Sequence, residues 1–481
     1  MYDVVVIGAG IAGTFIAREL SRYNLNIAIV EKANDVANVT TMANSAIIHA
    51  GYDAPAKKQK GYFNAKGNAM YDQVCEELDV PFKRVGSLVV AFSEEDKKTL
   101  QDLYDNGVDC GVPNMKILTK EETLEMEPNL NQDIFGALYA PTGGIISPWE
   151  MAIALCENAM ENGVELFLNT EVVDLKKEDD TFKVFTADGK VIEAKYVINC
   201  AGLYSDKINN MIASPLFEIK PRKGQYFILD KSEGNLVNKV IFQCPSEKGK
   251  GILVSPTVHG NLLVGPDSEF VDDKDDLSTT LDALDIIKET ALMTCKTIHY
   301  GKVIRSFSGN RSTSTSGDFI IGESPEVKGF INVGGFESPG LSSAPAVAVY
   351  VADIIKEISG GLTEKADFNP RRRPVVRFEE LNEDERAKVV SENAKFGRVI
   401  CRCENVTEGE IIDSIHRKAG ATTVKGVKKR TRAGMGRCQG GFCSPRVVEI
   451  LARELKCDVK DVLLDGPNSY ILSGRTKNVE E

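Results

Sequence analysis

A glycine-rich turn between two apolar runs, in VVVIGAGIAGTFIARELSRYNLNIAIVE (residues 4–31), constrains the fold of this chain more than any other feature. The pattern predicts a strand, a tight turn, a helix and a second strand that ends at Glu31. Gly8 permits the turn, Gly10 lets the backbone approach a pyrophosphate, and Gly13 allows the helix to pack closely on the strand. The helix N-terminus favours a bound anion. The stretch therefore predicts a nucleotide-binding α/β fold for an ADP-containing cofactor, with Glu31 accepting from a ribose, but it does not separate FAD from NAD.

The composition is that of an ordinary globular protein, with 42% hydrophobic and 27% charged residues among 481, enough for two or three domains. A pI near 5.2 argues against nucleic-acid binding. No uninterrupted apolar run reaches the roughly 18 residues of a membrane span, and the first strand leaves no room for a signal peptide. We therefore expect a cytoplasmic protein with no integral membrane segment. Eleven cysteines, an odd number, do not suggest a disulfide framework.

The loop NSAIIHAGYD (residues 44–53) follows the second strand, where such folds hold the middle of their cofactor. Asn44, Ser45 and His49 are therefore candidates to face the cofactor and the substrate. The alternative for His49 is a histidine satisfied within the core.

Three helix starts are predicted from capping patterns. TKEE from Thr119 has the spacing of a capping box, and so does the pair Thr407 and Glu410. SPWE places Ser147 as the N-cap, with Glu150 reaching back to it.

Several motifs in order resemble the D-amino-acid-oxidase-like superfamily of FAD oxidoreductases. They are IGAGIAG with Glu31, NSAIIHAG, INCAG, GNRSTSTSGDFIIG and INVGGFESPG. The chain is most similar to the FAD-dependent glycerol-3-phosphate dehydrogenases and their L-2-hydroxyglutarate oxidase relatives, over about residues 1–368. The resemblance implies FAD as cofactor and a Rossmann-like FAD-binding fold with an inserted mixed-sheet substrate domain. The cofactor-binding residues that it implies are Gly8, Gly10, Ala12, Gly13, Glu31, Lys32, Asn44, Ser45, Val173, Ala201, Gly202, Gly335, Ser338, Gly340 and Leu341.

The chemistry implied by the resemblance is dehydrogenation of a small anionic alcohol, in which a base takes the hydroxyl proton and hydride passes to the flavin. Arg311 matches the arginine by which relatives hold a phosphate or carboxylate, and its alternative is a surface ion pair. Lys223 is a second candidate for the same anion, and His49 is the expected base. Ser312 follows Arg311 where relatives commonly carry proline, so the substrate contacts of relatives are not transferred in full.

Four cysteines lie in one short C-terminal region, as CRC (Cys401 and Cys403) and CQGGFC (Cys438 and Cys443). Four thiolates with Cys443 beside a helix N-terminus suit a 2Fe-2S cluster. The alternative is structural zinc, for which this spacing is atypical. The region resembles the bacterioferritin-associated-ferredoxin-like 2Fe-2S domain, which implies a small helical iron-sulfur domain. The predicted fold class of the whole chain is therefore α/β and α+β.

The predicted organisation follows from these motifs and from composition shifts. It comprises an FAD-dependent oxidoreductase domain at 1–368 (FAD-binding parts about 1–85, 140–213 and 302–368; substrate-covering parts about 86–139 and 214–301), a charged linker at 369–395, a 2Fe-2S-binding domain at 396–457 and a tail at 458–481.

Charge supports an electron-transfer role for the C-terminal region. Residues 398–457 carry thirteen Lys and Arg against six Asp and Glu, a net charge of +7. Because the whole chain has a net charge of −12, the rest of it carries about −19. The basic cluster consists of Lys425, Lys428, Lys429, Arg430, Arg432 and Arg437. It is expected to dock on the chain's own acidic flavin domain or to steer an acidic redox partner, the alternative being a solvated face.

The resemblance thus predicts oxidation of sn-glycerol 3-phosphate to dihydroxyacetone phosphate, with electrons passing from flavin to a 2Fe-2S cluster and on to a partner flavoprotein or other redox protein. The alternatives are a 2-hydroxy-acid or amino-acid dehydrogenase, and a non-catalytic electron-transfer subunit.

Overall fold

The computed structural model describes residues 1–245 and 251–474. Two compact units are present: the first comprises Met1–Lys32 and Ala37–Arg371, and the second comprises Ala33–Val36 and Arg372–Glu481. Residues 246–250 of the predicted substrate-covering part and 475–481 of the predicted tail lie outside the described residues. No helix in the described ranges is long and apolar enough to cross a membrane.

The first unit contains strands β1 to β20 and helices α1 to α8. The strands are β1 (Tyr2–Ile7), β2 (Ile27–Val30), β3 (Ile47–Ile48), β4 (Phe82–Lys83), β5 (Ser87–Ala91), β6 (Lys116–Leu118), β7 (Gly136–Ala140), β8 (Gly144–Ile146), β9 (Glu165–Phe167), β10 (Val172–Glu178), β11 (Thr181–Thr186), β12 (Val191–Asn199), β13 (Ile219–Leu229), β14 (Val240–Gln243), β15 (Leu253–Pro256), β16 (Leu262–Gly265), β17 (Glu269–Phe270), β18 (Val303–Ser314), β19 (Ile320–Glu323) and β20 (Phe330–Gly334). The helices are α1 (Ile11–Leu20), α2 (Gln59–Leu78), α3 (Asp96–Asp109), α4 (Lys120–Met126), α5 (Pro148–Glu161), α6 (Ser205–Asn209), α7 (Leu281–Thr294) and α8 (Gly340–Ile358).

The nucleotide-binding sheet is built on β1. This strand pairs in parallel with β2 on one side and with β12 on the other, and β9 and β20 extend the sheet in parallel at β2 and β12. Helix α1 packs against β1 and β2, whose residues are mostly buried, which is why these strands are nearly continuous apolar runs. Strand β12, which leads into the INCAG motif, joins the sheet beside β1, with Val4 opposite Tyr196.

A second, mixed sheet forms the inserted part of the first unit. Its order is β17-β13-β16-β15-β14-β5-β7-β6, and β18 pairs with β13. The long antiparallel ribbon of β13 and β18 places Arg222 opposite Arg311 and Lys223 opposite Asn310. This register decides which side chains of the ribbon share a face.

The second unit is a small helical domain. Its elements are α9 (Glu383–Glu392), β21 (Val399–Cys401), β22 (Val406–Thr407), α10 (Glu408–His416), α11 (Val424–Thr431) and α12 (Ser444–Leu455). Its core includes Ile411, Val427 and Leu451. Val462 also belongs to this core, and the backbone of Leu464 accepts from Lys425, so the compact unit continues beyond residue 457 into the predicted tail.

Two of the three predicted capping patterns are confirmed. Thr119 and Thr407 each form a complete capping box with the glutamate three residues on. Ser147 lies at the N-cap of α5 but makes no side-chain capping bond, and Glu150, which was expected to reach back to it, is 2.7 Å from the ring Nε2 of His259.

Candidate active site and cysteine cluster

A continuous groove crosses the carboxyl ends of β1, β2 and β12. It consists of two adjoining cavities that share Gly10, Thr40, Thr41, Cys200 and Gly202 in their walls. One cavity extends to Glu31 and Lys32, and the other extends to the predicted catalytic residues. An elongated groove at this edge of a parallel sheet is where nucleotide folds bind a dinucleotide.

The glycine-rich turn forms the floor of the groove and has no room for side chains. Gly8 has a φ of +107°, and a Cβ there would lie 2.5 Å from the carbonyl oxygen of Cys200. A Cβ on Gly13 would lie 2.0 Å from the carbonyl oxygen of Gly8, which is the predicted close packing of helix on strand. Gly10 has an ordinary φ of −78° and lines both cavities, so its side-chain-free face borders ligand space.

Acidic and basic residues mark the end of the groove where the nucleoside is expected. The Oε2 atom of Glu31 accepts from the backbone N–H of Ala9 at 2.7 Å, which fixes the carboxylate beside the turn. The ammonium of Lys32 lies 3.7 Å from the ring centre of Tyr204. Val172 lines this end, whereas the Val173 side chain is 49% exposed and β10 has a register shift there.

Most of the residues predicted from the sequence line the groove. Those that do are Gly8, Gly10, Ala12, Glu31, Lys32, Asn44, Ser45, His49, Ala201, Gly202, Arg311, Ser338 and Leu341. Gly13, Val173, Lys223, Gly335 and Gly340 are absent from its walls. Gly335 and Gly340 lie on either side of Ser338 in the sequence. A Cβ on Gly335 would lie 2.8 Å from Ser314, and a Cβ on Gly340 would lie 2.9 Å from Phe336, so both glycines shape the loop that carries Ser338.

His49 lies at the end of the groove opposite Glu31. Its Nε2 is 3.3 Å from the hydroxyl of Ser338. On the same wall, the hydroxyl of Ser45 is 3.2 Å from that of Tyr226. The chain has four histidines, and the other three each contact a carboxylate elsewhere, as His259 does with Glu150, His299 with Glu233 and His416 with Glu454.

Arg311 brings a cation to this end of the groove. Its Nη2 donates to the backbone oxygen of Asp267 at 3.3 Å, and it lies over Gly224, where a Cβ would be only 2.5 Å away. Burial raises the pKa of Asp267, and the charge of Arg311 partly opposes this shift. Gly224 therefore makes the space that Arg311 occupies.

Lys223 is held away from the groove. It is nearly fully buried and its ammonium is 2.7 Å from a carboxylate oxygen of Asp276, whose pKa it helps to hold well below the usual range. Because successive strand residues face opposite sides, Lys223 faces away from Arg311 and Arg222 faces the same side. The structure thus separates two cations that the sequence analysis placed at one anion.

Glu337 is a buried wall residue that the sequence analysis missed. Its carboxylate lies 2.7 Å from the ammonium of Lys60 and 2.9 Å from the guanidinium of Arg222, and it accepts from the hydroxyl of Thr313 at 2.6 Å. Burial alone would raise the pKa of Glu337, but Lys60 and Arg222 more than offset it and hold the pKa below its ordinary value. The available signal was an acid inside the glycine-flanked motif FESPG, next to Ser338.

The four C-terminal cysteines lie in two pairs. Cys403 and Cys438, both half-buried, have their sulfurs 3.7 Å apart. Cys401 and Cys443 are both buried, and the thiol of Cys443 is close enough to lower the pKa of Cys401. Two thiolates on one tetrahedral metal at Fe–S or Zn–S distances of about 2.3 Å are about 3.7 Å apart, so the first pair has the spacing of two ligands of one ion.

The surroundings of two of these sulfurs, those of Cys401 and Cys438, stabilise negative charge, whereas the Cys401 thiol and burial raise the pKa of Cys443, and burial with the Cys438 thiol raises that of Cys403. The thiol of Cys443 and the backbone N–H groups of residues such as Gly434 lower the pKa of Cys401 to about 6. Burial would raise the pKa of Cys438, but the backbone N–H groups of Phe442 and Gly440 bring it below the usual value. Such N–H donors are the environment in which thiolates hold an iron-sulfur cluster.

The two cysteine pairs suit the two irons of an iron-sulfur cluster. A 2Fe-2S cluster takes four thiolates, two on each iron, which matches two cysteine pairs.

The groove and the cysteine pairs together define a flavoprotein oxidoreductase with an iron-sulfur domain. Residues 3–354 match the family described as DAO, FAD dependent oxidoreductase, and residues 399–453 match the BFD-like [2Fe-2S] binding domain. The chain belongs to the FAD dependent oxidoreductase family, and its cofactors are FAD and a 2Fe-2S cluster.

Individual relatives extend this assignment. A glycerol 3-phosphate dehydrogenase of Caloramator mitchellensis is 58% identical, with 99% of each chain covered. An L-2-hydroxyglutarate dehydrogenase of Arabidopsis thaliana is 27% identical over 73% of this chain and 83% of its own length. Among solved structures, the dithionite-reduced L-alpha-glycerophosphate oxidase from Mycoplasma pneumoniae with FAD bound superimposes with a TM-score of 0.74 at 30% identity, covering 78% of this chain and 99% of its own.

Proposed function

We propose that the protein oxidises sn-glycerol 3-phosphate to dihydroxyacetone phosphate and passes the electrons through its iron-sulfur domain to a partner redox protein. The observation that carries this proposal is that Arg311 and His49 line one cavity at the end of the groove opposite Glu31. A phosphate-binding cation and a base therefore share one cavity with the predicted flavin contact Ser338. The full-length relative at 58% identity is a glycerol 3-phosphate dehydrogenase, which supports the same substrate.

The residues of this chain divide the work as follows. The fork of Arg311 suits bidentate binding of the substrate phosphate, which fixes the carbinol carbon in the cavity. The Nε2 of His49 accepts the proton of the substrate hydroxyl, which takes the place of the Ser338 hydroxyl 3.3 Å from that nitrogen. When bound, FAD supplies the hydride acceptor, and the 2Fe-2S cluster supplies a carrier that takes electrons one at a time.

A second candidate is oxidation of a 2-hydroxy acid such as L-2-hydroxyglutarate. Arg311 favours it specifically, because a guanidinium binds a carboxylate with the same fork geometry as a phosphate. The same base and hydride acceptor would serve, so the two candidates differ only in the anion beside the carbinol. The third alternative of the sequence analysis, a non-catalytic electron-transfer subunit, is not favoured because the chain belongs to an oxidoreductase family.

Anaerobic titration of the holoprotein separates the two candidates. Bleaching of the visible flavin band by sn-glycerol 3-phosphate, but not by its enantiomer or by glycerol, is the expected result. Bleaching by L-2-hydroxyglutarate alone would replace the first candidate with the second. A flavin that both compounds leave oxidised, while dithionite reduces it, would contradict both.

A further inference from the structure

The side chain of Phe442 is placed unusually for an aromatic residue. It is 86% exposed, more than any other large hydrophobic residue in the described part of the chain. Its neighbour Cys443 is 2% exposed and belongs to the core of the second unit. Burying a phenylalanine side chain contributes about 1.5–3 kcal/mol, and this fold leaves that contribution unused.

Phe442 also marks the place where the cysteine cluster approaches solvent. It lies in the CQGGFC loop, and its backbone N–H donates to the sulfur of Cys438. Cys438 and its close neighbour Cys403 are the half-buried pair, whereas Cys401 and Cys443 are buried. One residue thus contacts the more accessible pair through its backbone and presents a ring to solvent.

Two exposed arginines belong to the same cysteine motifs. Arg402 lies between Cys401 and Cys403, Arg437 precedes Cys438, and both are exposed. The nearby acid Glu404 is buried and its carboxylate is 2.8 Å from Arg432. Arg402 and Phe442 are joined through the Cys403–Cys438 pair, whose sulfurs are 3.7 Å apart, and Arg437 directly precedes Cys438. An exposed aromatic ring and exposed arginines have the composition of an interface hot spot, and the positive charge favours an acidic partner.

Most of the basic cluster that the sequence analysis singled out for steering is engaged within the second unit. Lys425 pairs with Asp465, and Lys429 and Arg430 pair with Asp35. These cations stabilise the unit's own acids. Of the six cations in this cluster, Arg437, in the cysteine loop, is the one whose side chain is exposed.

We propose that Phe442, with Arg402 and Arg437, forms the docking surface for an acidic one-electron carrier protein, and that electrons leave by the Cys403 and Cys438 side. This inference rests on the proposed function, in which the cluster passes electrons to a partner. In each encounter the reduced cluster loses one electron and the carrier gains one, with no bond made or broken. Two encounters empty the enzyme after each two-electron substrate oxidation.

The test uses full-length holoprotein reduced by dithionite and freed of excess reductant, mixed in a stopped-flow instrument with two haem carriers. Cytochrome b5 is the acidic probe and cytochrome c is the basic one. For the Phe442→Ala variant, we expect the second-order rate constant with cytochrome b5 to fall about tenfold, which corresponds to about 1.4 kcal/mol. Phe442→Trp should retain the rate. Leu281→Ala, which truncates another exposed apolar residue in the first unit, is the matched control.

Charge reversal gives an independent reading that does not depend on the ring. Arg402→Glu or Arg437→Glu should slow reduction of cytochrome b5 and speed that of cytochrome c, with both effects weakening at high salt. The visible and EPR spectra of the cluster, which report its loading, should be unchanged in every variant.

Three results would overturn the inference. They are an unchanged cytochrome b5 rate in Phe442→Ala, a slower flavin-to-cluster transfer in place of a slower exit, and a change in oligomeric state that shows a second copy to be the occupant. Because dithionite supplies the electrons, failure of glycerol 3-phosphate to bleach the flavin would refute the proposed function without touching this result.

Discussion

The buried carboxylate of Glu337 offers a direct test of how the wall of the cavity is held. Replacing Glu337 with Gln keeps the volume and removes the charge, which leaves Lys60 and Arg222 without their common anion. Removing one partner of a buried ion pair costs about 3–5 kcal/mol. The Arg222 side chain is 31% exposed, so water can solvate it once the anion is removed, whereas the Lys60 side chain is only 11% exposed. We therefore expect the lower end of the range, about 3 kcal/mol.

For a unit of this size, that loss lowers the unfolding midpoint by about 4 °C, which thermal scans of FAD-saturated protein at one fixed rate can measure. The matched control is Glu94→Gln, the same change in an exposed pair with Lys97, for which we expect less than about 1 kcal/mol. The pKa of Glu337 is depressed in the folded state, so its contribution is present above the unfolded value of about 4.5 and is lost as the pH falls through the lower folded value. Equal midpoints for the two variants at neutral pH would refute the assignment of Glu337 as the anion that holds this wall.

Three further changes test the two cofactor sites and the anion site. Gly13→Ala places a Cβ 2.0 Å from the Gly8 carbonyl oxygen and should weaken FAD binding at least about tenfold in a fluorescence titration. The control is Gly301→Ala, whose Cβ would meet nothing within 4 Å and which should leave the FAD affinity unchanged. Equal FAD affinities of the two variants would contradict the packing argument. Arg311→Lys should raise KM for the anionic substrate about tenfold, since an ammonium replaces a bidentate fork, and an unchanged KM would remove Arg311 from the substrate. Cys403→Ser should abolish the visible and EPR signals of the cluster while substrate still bleaches the flavin, with exposed Cys457→Ser as the control that keeps the cluster. Loss of flavin bleaching in Cys403→Ser, with FAD retained, would show that the two redox steps are not separate.

Local chemistry accounts for the parts of the fold that could be predicted from the sequence. The turn at Gly8 needs a positive φ, and the packing at Gly13 needs the absence of a Cβ. A glycine at each position indicates these requirements directly. The capping boxes at Thr119 and Thr407 depend on residues three positions apart. Such features are decided within one turn of the chain.

Features that depend on distant partners could not be predicted in the same way. Ser147 and Glu150 have the spacing of a capping box, but Glu150 contacts His259 across 109 residues of sequence. Glu337 pairs with Lys60 from α2 and with Arg222 from β13, and no residue near Glu337 in the sequence indicates either partner. A buried polar group takes the partner that the fold supplies.

The segment PRKGQY shows how one residue of strand register separates two functions. Arg222 and Lys223 are adjacent cations, and the sequence alone offers no reason to prefer one of them for the cavity. In the pairing of β13 with β18, Arg222 lies opposite Arg311 and Lys223 lies opposite Asn310. Because side chains alternate across a strand, Arg222 joins the face that carries Arg311 and Thr313, and Lys223 joins the face that binds Asp276. The wall of the cavity therefore depends on a register set by a distant strand, and a shift of one residue would exchange the two cations.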